Sequence, residues 1–166
     1  MGSEMCIRDS AGGYRVGTER CDVAELVDDA VEALTPTADK GRVALVRDLD
    51  GAAPVRGSAA DLGRAIRNLL DNAIRHAGAD GEVRVAVSRS ADHVAVEVSD
   101  SGPGFPENFT AEALKPFTRA DASRSRAGGG AGLGLAITAG VVAAHRGETS
   151  VTAGPGGHIR VELPAA

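Results

Sequence analysis

The sequence predicts an α/β (α+β) two-layer sandwich in which a mixed sheet of about five strands packs against three main helices. Three observations predict it. Residues 23–34, 58–77 and 131–145 space their apolar side chains as helices do. Residues 82–90 and 93–99 alternate Val with polar residues around the short turn Ser90-Ala91-Asp92, and 149–153 with 158–163 form a second such pair. Finally, 166 residues with 43% hydrophobic content suit one domain with a real core and are too few for two comfortable ones. Aromatics are only 2% and Trp is absent, so that core has to be built from Ala, Val, Leu and Ile.

Residues 1–18 read as a leader that is non-native or disordered. Within it, Glu4-Met5-Cys6-Ile7-Arg8-Asp9-Ser10 back-translates as GAG-ATG-TGT-ATA-AGA-GAC-AGN, the end of a transposon adaptor used in sequencing libraries. The expectation is an assembly artefact joined to a fragment lacking its own N-terminus, which re-sequencing of the source locus checks. A short extended piece at 19–22 leads into the first helix, with Asp22 as its N-cap and acids on the face opposite Val23, Leu26, Val27, Ala30, Val31 and Leu34. Residues 43–49 and 53–56 read as strands bounded by Gly41, Gly51 and Gly57. Ser58 caps the central helix, which stops before Gly78. The stretch 101–130 is rich in turn formers, lacks sustained periodicity and holds Phe105, Phe109 and Phe117, so it reads as a long mobile segment.

Composition excludes several classes. A net charge of −5 and a sequence pI near 5.3 disfavour a general nucleic-acid binder, which needs a basic surface to displace counterions. The only cysteines are Cys6 and Cys21, so neither a zinc site nor a disulfide framework is indicated, and a reducing, cytoplasmic compartment fits best. No apolar run approaches the ~18 residues of a membrane-spanning helix.

Three motifs carry chemistry. On the central helix, Asn68 and Asn72 stand at i and i+4 and project from one side, beside the apolar stripe of Ile66, Leu69, Leu70 and Ala73. Alone, such a pair could equally satisfy nearby backbone groups. The second motif is Asp100-Ser101-Gly102-Pro103-Gly104 at a strand end, and the third is Gly130-Ala131-Gly132-Leu133-Gly134-Leu135 at a helix start. A carboxylate at a strand end can accept from an exocyclic amine, and the first N–H groups of a helix form an anion site. Gly128 and Gly129 read as linker.

In this order and spacing the motifs resemble the catalytic ATP-binding domain of sensor histidine kinases, a branch of the group that includes gyrase, heat-shock chaperone ATPases and mismatch-repair ATPases. The resemblance covers roughly 19–164. It implies a long lid over ATP, a role for Asp100 in binding adenine, with Gly102 and Gly104 allowing close approach, and Asn72 as an oxygen ligand of Mg²⁺ assisted by Asn68. It also implies phosphate contacts from Arg75 and His76 and triphosphate binding by Gly130, Gly132, Leu133 and Gly134. His76 has a second reading as a solvated helix-end residue. Lys115-Pro116-Phe117-Thr118-Arg119 resembles the family's Phe-containing box, in which Lys115 and Arg119 approach the γ-phosphate. Equally, Phe117 is lid core and the two cations are solvated.

Relatives that hydrolyse ATP carry Glu one turn before the magnesium Asn as general base. Asn68 stands there and cannot take a proton at neutral pH. A histidine kinase needs no water base, so Asn68, Arg75 and Arg119 are expected to act by positioning and charge. His76, His93, His145 and His158 all fall inside the ATP domain, so the acceptor histidine is expected on a dimerisation domain of a homodimeric parent, with a response regulator downstream. A regulatory nucleotide-binding module and an anti-sigma-factor serine kinase are the alternatives. Membrane attachment of the parent is what the resemblance implies.

Overall fold

The computed structural model describes residues 6–8, 14–17, 19–104, 131–152 and 155–166. Its main sheet has five strands, β4 (Ala44–Leu49), β6 (Glu82–Arg89), β7 (His93–Asp100), β8 (Glu148–Thr152) and β9 (Gly157–Pro164), in the order β4-β6-β7-β9-β8. Only β4 and β6 are parallel, which requires a crossover, and the connection runs through β5 (Pro54–Arg56) and helix α2 (Ala59–Ala77). The remaining pairs are antiparallel. With α1 (Val23–Lys40) and α3 (Ala131–Ala144), the helices among the described residues number three and cover one face of a mixed sheet, as the sequence predicts.

The strand alternation places one row of side chains against the helices. Val83, Val85, Val87, Val94, Val96 and Val98 are each at most 2% exposed and meet Leu62, Ile66, Leu69 and Leu70 of α2. Burying a side chain of that size stabilises by roughly 1.5–3 kcal/mol, so a core without Trp is sufficient. The opposite sheet face carries the alternate residues, including an ion-pair chain in which Arg160 lies between Glu97 and Glu162.

Two features differ from simple reading. The first helix does not stop at Leu34 but continues through Pro36 to Lys40. Proline removes one backbone donor, the Thr35 hydroxyl bonds back to the Val31 carbonyl at 2.7 Å, and Ala38, 1% exposed, docks the last turn on the core. Residues 54–56 form a strand outside the five-stranded sheet; a single bridge from Val55 to Ala165 ties it to the segment just after β9, and β5 pairs antiparallel with β3 (Arg20–Asp22). Asp22 explains this pairing, because its carboxylate caps α1 through the Ala24 N–H and also accepts from the Ala53 N–H, both at 2.9 Å. In the leader, β1 (Cys6–Arg8) and β2 (Tyr14–Val16) pair with each other.

Candidate functional site

Helix α2 begins at Ser58, whose hydroxyl accepts from the Asp61 N–H, and its buried stripe turns Asn72 inward. Asn72 is 5% exposed, and its Oδ1 is a buried oxygen without a hydrogen-bond partner among the described residues. A buried unpaired amide oxygen costs free energy unless something occupies it. One turn earlier Asn68 is half-buried, while Arg75 and His76 follow on the exposed end of the same side. Arg75 forms an ion pair with Asp71 one turn back, which holds the guanidinium along the helix.

Strand β7 delivers Asp100 to the same end of the molecule. Its Oδ1 accepts from the Gly102 N–H at 2.8 Å and from the Gly157 N–H at 3.3 Å, while Oδ2 takes no hydrogen bond from the described residues. The loop that follows is tied down on both sides: Ser101 exchanges hydrogen bonds with Glu82, and the Gly156 N–H donates to the Gly102 carbonyl at 3.1 Å. Gly102 lies so close to the end of α2 that a Cβ there would come within 2.1 Å of the His76 carbonyl oxygen. Glycine at 102 is thus required by the protein's own backbone, which locks the Asp100 loop to the helix carrying Asn72. Gly104 has φ near 80°, the region that favours glycine.

Helix α3 is positioned by two contacts with α2. Thr138, fully buried, donates to the Ala65 carbonyl at 3.4 Å, and the His145 Nε2 accepts from the Ser58 N–H at 3.0 Å. Thr138 on α3 and His145 just after it therefore match Ala65 on α2 and Ser58 just before it, in reverse order, so the helices run antiparallel. This register carries residues 131–134, including Gly132, Leu133 and Gly134, toward the Asn68–Asn72 turn. A Cβ on Gly134 would meet nothing within 4 Å, and the first turn of α3 has no acidic side chain to offset its positive end. Lys115, Phe117, Arg119 and Gly130 lie outside the described residues.

The described residues therefore place an unpartnered buried amide oxygen on α2, a carboxylate with one oxygen free in a loop packed on the end of that helix, and a helix start carried toward the Asn68–Asn72 turn. Comparison with known proteins gives this arrangement a family. The histidine kinase-, DNA gyrase B- and HSP90-like ATPase family matches residues 57–166, well over half of the chain. The chain belongs to it. Among its relatives is the probable sensor histidine kinase TcrY of Mycobacterium tuberculosis, 43% identical over 102 residues, which are 61% of this chain and 22% of TcrY. The histidine-protein kinase/phosphatase MprB of Mycobacterium sp. strain KMS is 38% identical over 165 residues, 95% of this chain and 30% of MprB. The chain thus spans less than a third of the length of either relative.

Among solved structures, a mycobacterial sensor histidine kinase MprB superimposes with a TM-score of 0.77 at 29% identity, covering 89% of this chain and 97% of that one. The catalytic domain of histidine kinase ThkA shares the fold, with a TM-score of 0.79 at 21% identity over 90% of this chain and 97% of its own. Membership in the ATPase family implies ATP as the ligand, and no helix among the described residues is long and apolar enough to cross a membrane.

Sequence reasoning gave no site role to three contributors. Gly157, Thr138 and His145 act through partners 57, 73 and 87 residues away, separations that no local pattern reports.

Proposed function

We propose that this chain is the ATP-binding catalytic domain of a two-component sensor histidine kinase, which transfers the γ-phosphate of ATP to a histidine on the dimerisation domain of its parent. The observation that carries the proposal is Asn72 Oδ1, buried and unpartnered, with Asn and not Glu one helical turn earlier at 68. In this reading Asp100 accepts from the adenine amine, the start of α3 receives the triphosphate, and Arg75, with Arg119 and Lys115, balances phosphate charge. The residues present fit a divalent cation at Asn72, since an amide oxygen is the hard donor that Mg²⁺ selects. When bound, that ion would supply charge neutralisation at the phosphate oxygens.

The chain's own residues hold and orient. An acceptor imidazole nitrogen forms the new bond to the γ-phosphorus while the bond to the bridging oxygen breaks and ADP leaves. No protein base is needed for water, and Asn68 provides none. ThkA has been seen in complex with a response regulator, which supports a response regulator as the downstream partner here. The same reading puts the domain on the cytoplasmic side of a homodimeric parent attached to the plasma membrane.

Radiolabelled ATP tests it. The chain alone is expected to bind ATP with little turnover and no self-labelling; mixed with its parent's acceptor domain it should produce an acid-labile, base-stable phosphohistidine. Acid-stable phosphoserine would support a serine kinase, and binding without any transfer would support a regulatory module. Asn68→Glu is expected to introduce modest hydrolysis by restoring a carboxylate next to the phosphates, and a strongly hydrolytic wild type would overturn the role given to Asn68.

A further inference from the structure

We infer that Gly157, at the start of β9, is a positioning residue for purine recognition: its missing side chain and its N–H together set which oxygen of Asp100 faces the ligand. The inference rests on the adenine role proposed for Asp100 and goes beyond it by assigning how that carboxylate is aimed.

Gly157 and Asp100 are direct cross-strand partners on β9 and β7. Its neighbour Gly156 has φ near 78°, so a turn explains that glycine. Gly157 is not among the residues with positive φ, and its backbone would accept any L-residue. Space is what excludes a side chain: a Cβ on Gly157 would come within 2.3 Å of Asp100 Oδ2 and 2.9 Å of its Cγ. The carboxylate thus lies flat over the Gly157 backbone, while the Gly157 and Gly102 N–H groups both hold Oδ1. Two donors on one oxygen leave the other as the acceptor available to a ligand, already turned and unable to rotate without losing both bonds. Gly102 differs in kind, since a Cβ there would strike the His76 backbone carbonyl and distort the loop itself. At Gly157 the obstructed atoms belong to a side-chain end, so an added methyl turns the carboxylate and leaves the sheet in place.

The test compares ATP with purine riboside triphosphate, which lacks the exocyclic amine, by calorimetry on the wild-type chain and on Gly157→Ala. Wild type is expected to prefer ATP by roughly 10- to 100-fold, the range for a hydrogen bond to a charged group. Gly157→Ala is expected to bring that ratio toward one by weakening ATP, with the analogue's affinity within about twofold of wild type, as a structural lesion could not do. Asp100→Ala combined with Gly157→Ala is expected to weaken ATP no further than Asp100→Ala alone. A retained ratio, equal weakening of both nucleotides, or a Gly157→Ala chain that does not fold would each overturn the inference, because in it the carboxylate and not the sheet gives way. A wild type that binds both nucleotides equally would instead refute the adenine role of Asp100 itself.

Discussion

Asn72 is a residue whose burial makes sense only with a ligand. Its Oδ1 has no partner among the described residues, so a leucine of similar size removes an unpaired polar atom from the interior. Asn72→Leu is expected to raise the stability of the nucleotide-free chain by about 1 kcal/mol in urea titrations while abolishing the Mg²⁺-dependent part of ATP binding. Lower stability in the absence of nucleotide would mean that the oxygen has a protein partner. Cys21 makes a second point about single side chains. Burial, then the adjacent Asp22 and Glu19 carboxylates, raise its thiol pKa, so less thiolate exists at any given pH than on a free thiol. In a Cys6→Ser background, iodoacetamide at mildly alkaline pH is expected to alkylate Cys21 more slowly than glutathione, and the difference should vanish when urea unfolds the chain. Equal rates in the folded chain would show the thiol to be unshielded.

The helices were legible from spacing and capping because those are local effects: Asp22 and Ser58 cap α1 and α2 as their types and places predict. What spacing could not show is how α2 and α3 are fastened together. His145 lies in the turn after α3, donates from Nδ1 to the Val141 carbonyl, and accepts the Ser58 N–H on Nε2, which requires the neutral Nδ1–H tautomer. The ring fits only because residue 57 is glycine, since a Cβ there would come within 2.1 Å of His145 Cδ2. Gly57→Ala and His145→Ala are each expected to cost about 2–3 kcal/mol, the first by overlap and the second by removing the imidazole acceptor and opening a cavity. The double variant should lose clearly less than the sum of the two, because the new methyl fills space that the ring vacates. Strict additivity in denaturant unfolding would deny the contact its role in joining the helices. The Pro36 turn was hidden for the opposite reason: a proline reads locally as a stop, and only the buried Ala38 outweighs it.

Across the whole chain, sequence pattern identified the sheet, the Asn pair and the Asp100 motif, since each depends on alternation or on a few adjacent residues. It could not show β5 leaving the main sheet for β3, or Gly157 under Asp100, because these are choices among distant partners. The outcome is a molecule with two unlike ends. At one, the 99–104 loop packs on the end of α2 and against 156–157, and the register of α3 carries residues 131–134 toward the Asn68–Asn72 turn. At the other, Val55, Arg56, His145, Arg146, Leu163 and Ala166 line a cavity of about 430 Å³ that includes none of the predicted site residues. Because α3 is fastened to α2 at the His145 end, nucleotide binding should order chiefly the opposite end, and a ligand that binds only the folded form stabilises what it touches. Hydrogen exchange with and without Mg-ATP is therefore expected to slow in the second half of α2, at 99–104, at the start of α3 and at 156–158, with little change in β3, β5 or the first half of α1. Uniform slowing would mean that nucleotide merely stabilises the whole fold. Slowing concentrated around Arg56 and Arg146 would move the binding site to the distal cavity and overturn the assignment built on Asn72 and Asp100.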